Sequence, residues 1–251
     1  MNKNPFKISL IWLLGWLISG HAFAGPPFIT DDPEPVEINH WEVNYAFNKT
    51  WREGGSSIAM PSVDINYGLG SDFQLHVQPK YAYVASDKDK SFGIDNTEIG
   101  FKYRFINQQY RTRNWMVGIY PIIQLPTGVN RLGDGRGKVQ TFLPLWVQCN
   151  SDAWTIYGGL GYRMNQYVDS KNSWFSGIAA MYRFSNQLQF GGEAYQESAG
   201  SFGEHGQSGF NLGGVYNITE NYHVLFSAGK GLSNVNDTNR FSTYLALQVI
   251  Y

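Results

Sequence analysis

Cysteine is almost missing from this chain: Cys149 stands alone and has no partner for an internal disulfide. A disulfide scaffold is therefore excluded, and the expected role of Cys149 is that of a small buried or lipid-facing side chain. Charge is scarce as well, at 16% of residues with a net charge of -1. That balance excludes a basic nucleic-acid surface, so no nucleic acid is expected as a partner. Beyond residue 24 no apolar run approaches the roughly 20 residues of a membrane-spanning helix. Phosphate-binding glycine loops, paired CxxC motifs and HExxH helices are also lacking. No cofactor and no metal centre is expected.

Aromatic residues (16%) and glycine are abundant, yet the mean hydropathy is slightly negative. Alternation of apolar and polar residues along strands produces that combination, because each strand hides its apolar face in the average. The last stretch shows it most clearly. Phe241, Thr243, Leu245, Leu247, Val249 and Tyr251 fall in steps of two, with Ser242, Tyr244, Ala246, Gln248 and Ile250 between them. A period of two puts the sets on opposite faces of a strand. The terminal aromatic with alternating apolar residues resembles the C-terminal sorting signal of outer-membrane barrels, with Tyr251 in place of the usual Phe. On that reading the barrel-assembly machinery is a partner of this strand.

Residues 1–24 read as a secretory signal. Lys3 and Lys7 precede the apolar run ISLIWLLGWLIS, and Ala22-Phe23-Ala24 is a small-residue cleavage site. Residues 25–37 are rich in proline, which forbids regular pairing, and are expected as an extended periplasmic lead-in. Asp31, Asp32 and Glu34 within it could be read as a cation site, although solvation of a stiff linker explains them equally well. A plug folding into the barrel mouth is the other functional reading of this segment.

Residues 38–251 carry about twelve alternating segments separated by turn residues. Every second connection is brief, around residues 68–72, 150–153, 185–187 and 219–221, with 107–114 the one longer member. The alternate connections are longer and polar or glycine-rich, around 86–92, 128–138, 165–172, 197–207 and 233–239. Such sorting is that of periplasmic turns and extracellular loops. The expected fold is all-β: a transmembrane antiparallel up-and-down β-barrel of about twelve strands. Its place is the outer membrane of a Gram-negative bacterium, among outer-membrane lipid and lipopolysaccharide.

If the aromatic and branched set faces lipid, the opposite parity faces a lumen. It includes Glu42, Asp64, His76, Lys80, Glu98, Lys102, Arg104, Arg163, Arg183, Glu193 and His223. A Lys or Arg facing lipid at mid-membrane would cost about 2–4 kcal/mol, which supports the assignment. These side chains either pair across a narrow, filled barrel or line a path for a small-molecule solute. Twelve strands lie between filled eight-stranded barrels and wide porins, and the narrow channel is the reading taken.

The order of several stretches carries a resemblance. GPPFITDDPEPV (residues 25–36) before Trp41-Glu42, TEIGFKYRF (97–105), QLPTG (124–128), LPLWVQ (143–148) and residues 154–162 with their paired glycines are similar to the family called "putative MetA-pathway of phenol degradation". The resemblance covers nearly all of the chain after residue 24. It implies an outer-membrane barrel, transporter-like, for small solutes with hydrophobic or aromatic ones among them. It implies no catalytic or binding residues. Two alternatives stay open: a filled structural barrel without transport, and a lipid-acting esterase for which His205 and Ser208 are the nearest His/Ser pair.

Overall fold

The computed structural model describes residues 27–86, 90–128, 138–166 and 169–251. The secretory signal expected over 1–24, the start of the proline-rich segment, and Arg131, Gly133, Gly135, Arg136 and Gly137 of the glycine-rich loop lie outside the described residues. Every described element is a β-strand. Twelve spanning strands follow one another: β1 Trp41–Arg52, β2 Gly55–Gly70, β3 Phe73–Gln78 continued by Lys80–Ser86, and β4 Lys90–Ile94 continued by Thr97–Tyr110. Next come β5 Arg113–Ile119 continued by Ile122–Leu125, β6 Gln140–Asn150, β7 Trp154–Met164 and β8 Ser173–Arg183. β9 Leu188–Glu197, β10 Gln207–Asn217, β11 Tyr222–Ser233 and β12 Phe241–Ile250 complete the set.

Each strand pairs antiparallel with its sequence neighbours, and β1 also pairs with β12, for example Phe47 with Leu245. The sheet therefore closes on itself, and closure leaves no unpaired edge in lipid. The ladder is interrupted where proline cannot donate, at Pro79 in β3 and at Tyr120-Pro121 in β5. The two proline carbonyls still accept, from Val63 N at 3.1 Å and Phe101 N at 3.2 Å.

The alternation read from the sequence separates two surfaces. Leu75, Ile123, Leu145, Ile178, Leu212, Leu245 and Leu247 are exposed on the outer face, which forms the apolar belt toward lipid. Replacing Leu245 (53% exposed) by Arg is expected to lower the unfolding free energy in lipid vesicles by about 2–4 kcal/mol. A loss well under 1 kcal/mol would place that face away from lipid.

Two expectations need amending. Residues 107–110 and 113–114 are strand, not turn: Tyr110 pairs with Arg113, and only 111–112 turn, with Arg111 at φ 56°. Polar residues there resembled a loop because a strand leaving the membrane needs no apolar face. The proline-rich lead-in is extended, as its prolines require, but it lies inside the barrel. Thr30, Asp32, Pro33 and Val36 are almost wholly buried by the surrounding wall.

Candidate functional site: the lumen and its inner segment

Prolines 27, 33 and 35 keep residues 27–37 out of the ladder, so their backbone groups must find side-chain partners; Ile38 bridges to Gly68 where the segment ends. The inner wall supplies them. Glu193 on β9 accepts from Ile29 N at 2.9 Å and Thr30 N at 2.8 Å. Gln74 on β3 accepts from Val36 N at 2.9 Å, and Ser227 on β11 donates to the Pro27 carbonyl at 2.6 Å. β9 and β3 lie six strands apart in the ring of twelve. The segment thus ties opposite walls together. Near Gly68 it leaves the lumen: Asn39 N donates to the Gly68 carbonyl at 2.8 Å, and Asn39, at φ 63°, turns the chain into β1.

Lys102 on β4 is the ionic anchor. Its ammonium lies 3.0 Å from Asp31 Oδ1 and 3.3 Å from Asp32 Oδ1, and donates to the Glu34 carbonyl at 3.3 Å. Asp31, Asp32 and Glu34 therefore meet a lysine where a bound cation was one reading, and no cluster of metal-ligating groups occurs among the described residues. Gln148 Nε2 donates to Glu34 Oε2 at 2.7 Å. Burial and the neighbouring Asp32 push the Glu34 carboxyl up to about 7, against the pull of Gln148, Arg104 and Lys102. Asp32 is also raised, by burial first, with Lys102 opposing and Asp31 adding to the rise.

Glycine makes room for this bed. Gly177 on β8 faces inward, and a Cβ there would overlap Thr30 Oγ1; one at Gly68 would overlap the Glu37 carbonyl. Gly177→Val is expected to push the segment off the wall. The check is thiol labelling of Thr30→Cys, protected in the parent barrel and at least about tenfold faster in the Gly177→Val background. Equal labelling rates in the two would mean that Thr30 does not rest on Gly177.

The charged residues singled out from the sequence divide into separate clusters. Glu42, Asp64 and His76 gather on β1 to β3, with His76 Nδ1 2.9 Å from Asp64 and Asn44 joining the two carboxylates at 3.2 and 3.3 Å. Lys80 pairs with Glu98 at 3.0 Å. Arg163 pairs with Glu197 at 3.1 Å while its guanidinium lies 4.6 Å from the Phe142 ring centre. Arg104 reaches Asp72 and the Ser71 carbonyl in the β2–β3 turn. His223 is buried near the β10–β11 turn beside Asn217, at 3.0 Å, and Arg183 is half-buried at the end of β8. Most of these wall contacts join neighbouring strands, while Arg163–Glu197 reaches over β8 from β7 to β9.

Part of the interior is aromatic or apolar: Tyr120 and Tyr195 have the inward parity expected from the sequence, whereas Trp146, Phe175 and Met181 escaped that reading. Tyr120, Trp146, Phe175 and Tyr195 form one buried cluster, and Tyr157, Met181, Val215 and Leu225 belong to another, against which Phe28 of the segment packs. The available signal was parity: Trp146 shares its face with Gln148, not with Leu145 and Val147. Between Ile29 and this wall lies a cavity of about 200 Å³ bounded by Tyr120, Phe142, Trp146, Arg163 and Gln124.

The other residues named in advance fall as follows. Phe241, Leu245, Leu247 and Tyr251 are exposed on the outer face of β12, whereas Val249 is 5% exposed. Ser208 Oγ shares a hydrogen bond with Ser233 Oγ at 2.8 Å. His205 is exposed, and among the described residues no hydrogen bond joins it to Ser208.

The family model described as "Putative MetA-pathway of phenol degradation" matches residues 47–246. No curated protein is similar enough in sequence to match. Among solved structures, the chain is similar to the COG4313 outer membrane channel from Pseudomonas putida F1. Identity is 13%, the TM-score is 0.69, and the match covers 88% of this chain and 98% of that one. It is also similar to the NanC porin (7% identity, TM-score 0.56, covering 84% and 99%). The KdgM porin matches at 11% identity and TM-score 0.54, covering 83% and 98%. At these identities the likeness is one of fold.

Proposed function

The chain belongs to the MetA-pathway family so described, and on that premise we propose that it forms a narrow outer-membrane channel for small solutes, with its own N-terminal segment as a plug. One observation carries this reading: a closed barrel with a polar inner wall is crossed by a segment held through side chains rather than through the ladder. A segment held in this way is able to leave without breaking the ladder that closes the wall. The similar solved structures, titled as an outer membrane channel and porins, support the same class. They also support a place in the outer membrane of a Gram-negative bacterium.

The finer reading is that hydrophobic or aromatic solutes are among those passed. The family description points that way, and the cavity walled by Tyr120, Phe142 and Trp146 has room for one planar ring. The charged clusters on β1 to β4 and around Arg163 would set the field along the path. Both signs are present, so a weak ion preference is expected.

The test is reconstitution of the refolded chain in planar bilayers, with and without residues 25–37. Discrete current steps from either form support the channel. Silence from both, with correctly folded protein, would leave a filled barrel.

A further inference from the structure

A second cavity, of about 340 Å³, lies at the other side of the inner segment, where residues 27–29 meet β1, β9, β10, β11 and β12. Its chemistry differs from the rest of the lumen. Along β1 to β4 and around Arg163 the inner wall is organised by ion pairs; here Arg52 is the one charged side chain lining the space among the described residues. Amides and hydroxyls dominate instead.

One of its lining residues, Asn239, is 5% exposed. Its Nδ2 donates to Tyr195 Oη and to Ser242 Oγ, both at 3.2 Å, and Ser242 donates on to Asn211 Oδ1 at 3.4 Å. Asn239 Oδ1 is buried and has no donor among the described residues. A buried amide oxygen left unpaired is costly; with no accessible surface of its own, it meets a donor only when the amide shifts toward the cavity that Asn239 lines. The hydroxyls of Tyr195 and Ser242 beside it can rotate to give or take a proton. Phe28 and Tyr244 add aromatic surface to the same lining.

We propose that this cavity is a binding site for a hydroxyl-rich solute of about the size of one monosaccharide. Sugar hydroxyls both donate to and accept from the Tyr195 and Ser242 hydroxyls and the Asn211 and Gln207 amides of this lining, which neither a simple ion nor a hydrocarbon ring does. The aromatic surfaces suit the C–H face of a sugar ring. An inorganic anion would find Arg52 alone, and an unsubstituted aromatic would leave the amides unpaired. The space suffices as well: at about 30 Å³ per water it equals some eleven waters, so a monosaccharide fits with water beside it. Arg52 gives a carboxylate-bearing sugar an added attraction over a neutral one. This site goes beyond the channel reading and does not rest on it.

The experiment is a titration of the refolded full-length barrel in detergent with glucose, glucuronate and cyclohexanol, read by saturation-transfer NMR. Glucose is expected to bind in the millimolar range, glucuronate more tightly, and cyclohexanol at least about fivefold more weakly than glucose. Asn239→Leu should weaken glucose by about fivefold or more, and Tyr195→Phe, which keeps the ring, serves as a second variant should the first fail to fold. Arg52→Gln should remove the advantage of glucuronate. The proposal is overturned if glucose does not bind, if cyclohexanol binds as well as glucose, or if neither Asn239→Leu nor Tyr195→Phe changes the affinity. Binding is read without transport, so the two readings fail separately. Sugar binding in a barrel that carries no current would sink the channel, and current without sugar binding would sink this site.

Discussion

Lys102→Met raises the open probability of the reconstituted channel severalfold, and deletion of residues 25–37 turns the same current into a steady one. The reason is the buried ion cluster. Lys102 is 2% exposed, and its ammonium meets the carboxylates of Asp31 and Asp32 and the Glu34 carbonyl on the inner segment, with the Tyr120 ring centre 5.0 Å away as its contact on the wall. Removing one side of a buried ion pair typically costs about 3–5 kcal/mol, because the remaining charges stay desolvated without a partner. Moving a two-state element from almost always docked to almost always released takes about 5.5 kcal/mol. The substitution is therefore large enough to populate the released state and too small to abolish docking, which predicts flicker. Deletion removes the docked state altogether. Both variants should keep the barrel, since Lys102 lies in an uninterrupted run of ladder pairs; circular dichroism checks this. Conductance traces indistinguishable from the parent in both variants would mean that the segment does not obstruct the path.

The second large effect is on pH. The Glu34 carboxyl sits at about 7 when docked, against an ordinary value of 4.5, so docking favours its protonated form. The sign follows from linkage. Below about 4.5 the group is protonated in both states and docking is at full strength. Between 4.5 and 7 the released state gives up its proton first, and docking weakens by up to about tenfold per pH unit. Above 7 both states are ionised and the dependence ends. Asp32, raised by burial, pulls in the same direction, while Lys102 and Arg104 oppose it by favouring the ionised carboxylates. The channel is thus expected to be mostly closed at pH 5 and more often open at pH 8. Glu34→Gln, which keeps an oxygen for Gln148 and cannot ionise, should flatten most of that profile. An open probability that falls as pH rises, or a Glu34→Gln profile equal to the parent, would show that Glu34 does not control docking.

Much of this protein was legible residue by residue. Period-two alternation separated an outer set such as Leu245 and Leu247 from an inner set such as Glu42, Lys102 and Glu193, because a strand has only two faces and lipid tolerates one kind of side chain. The same rule determined strand number and direction, since each connection reverses the chain. It misread residues 107–114, where the strand outruns the membrane and loses its apolar signal. It also missed Trp146 and Phe175, apolar residues turned inward to fill a narrow barrel.

The sequence by itself, then, determined the architecture, the lipid-facing belt and the polar character of the inner wall. All of these follow from local periodicity. Only the tertiary structure decided where residues 27–38 go. Nothing local in a proline-rich stretch says whether its unpaired backbone meets water or a protein wall. That depends on Glu193, Gln74 and Ser227 converging from strands far apart in the chain, and on Lys102 facing Asp31 and Asp32 across some 70 residues of sequence. Closure of the barrel brings them together, and no window of sequence contains it.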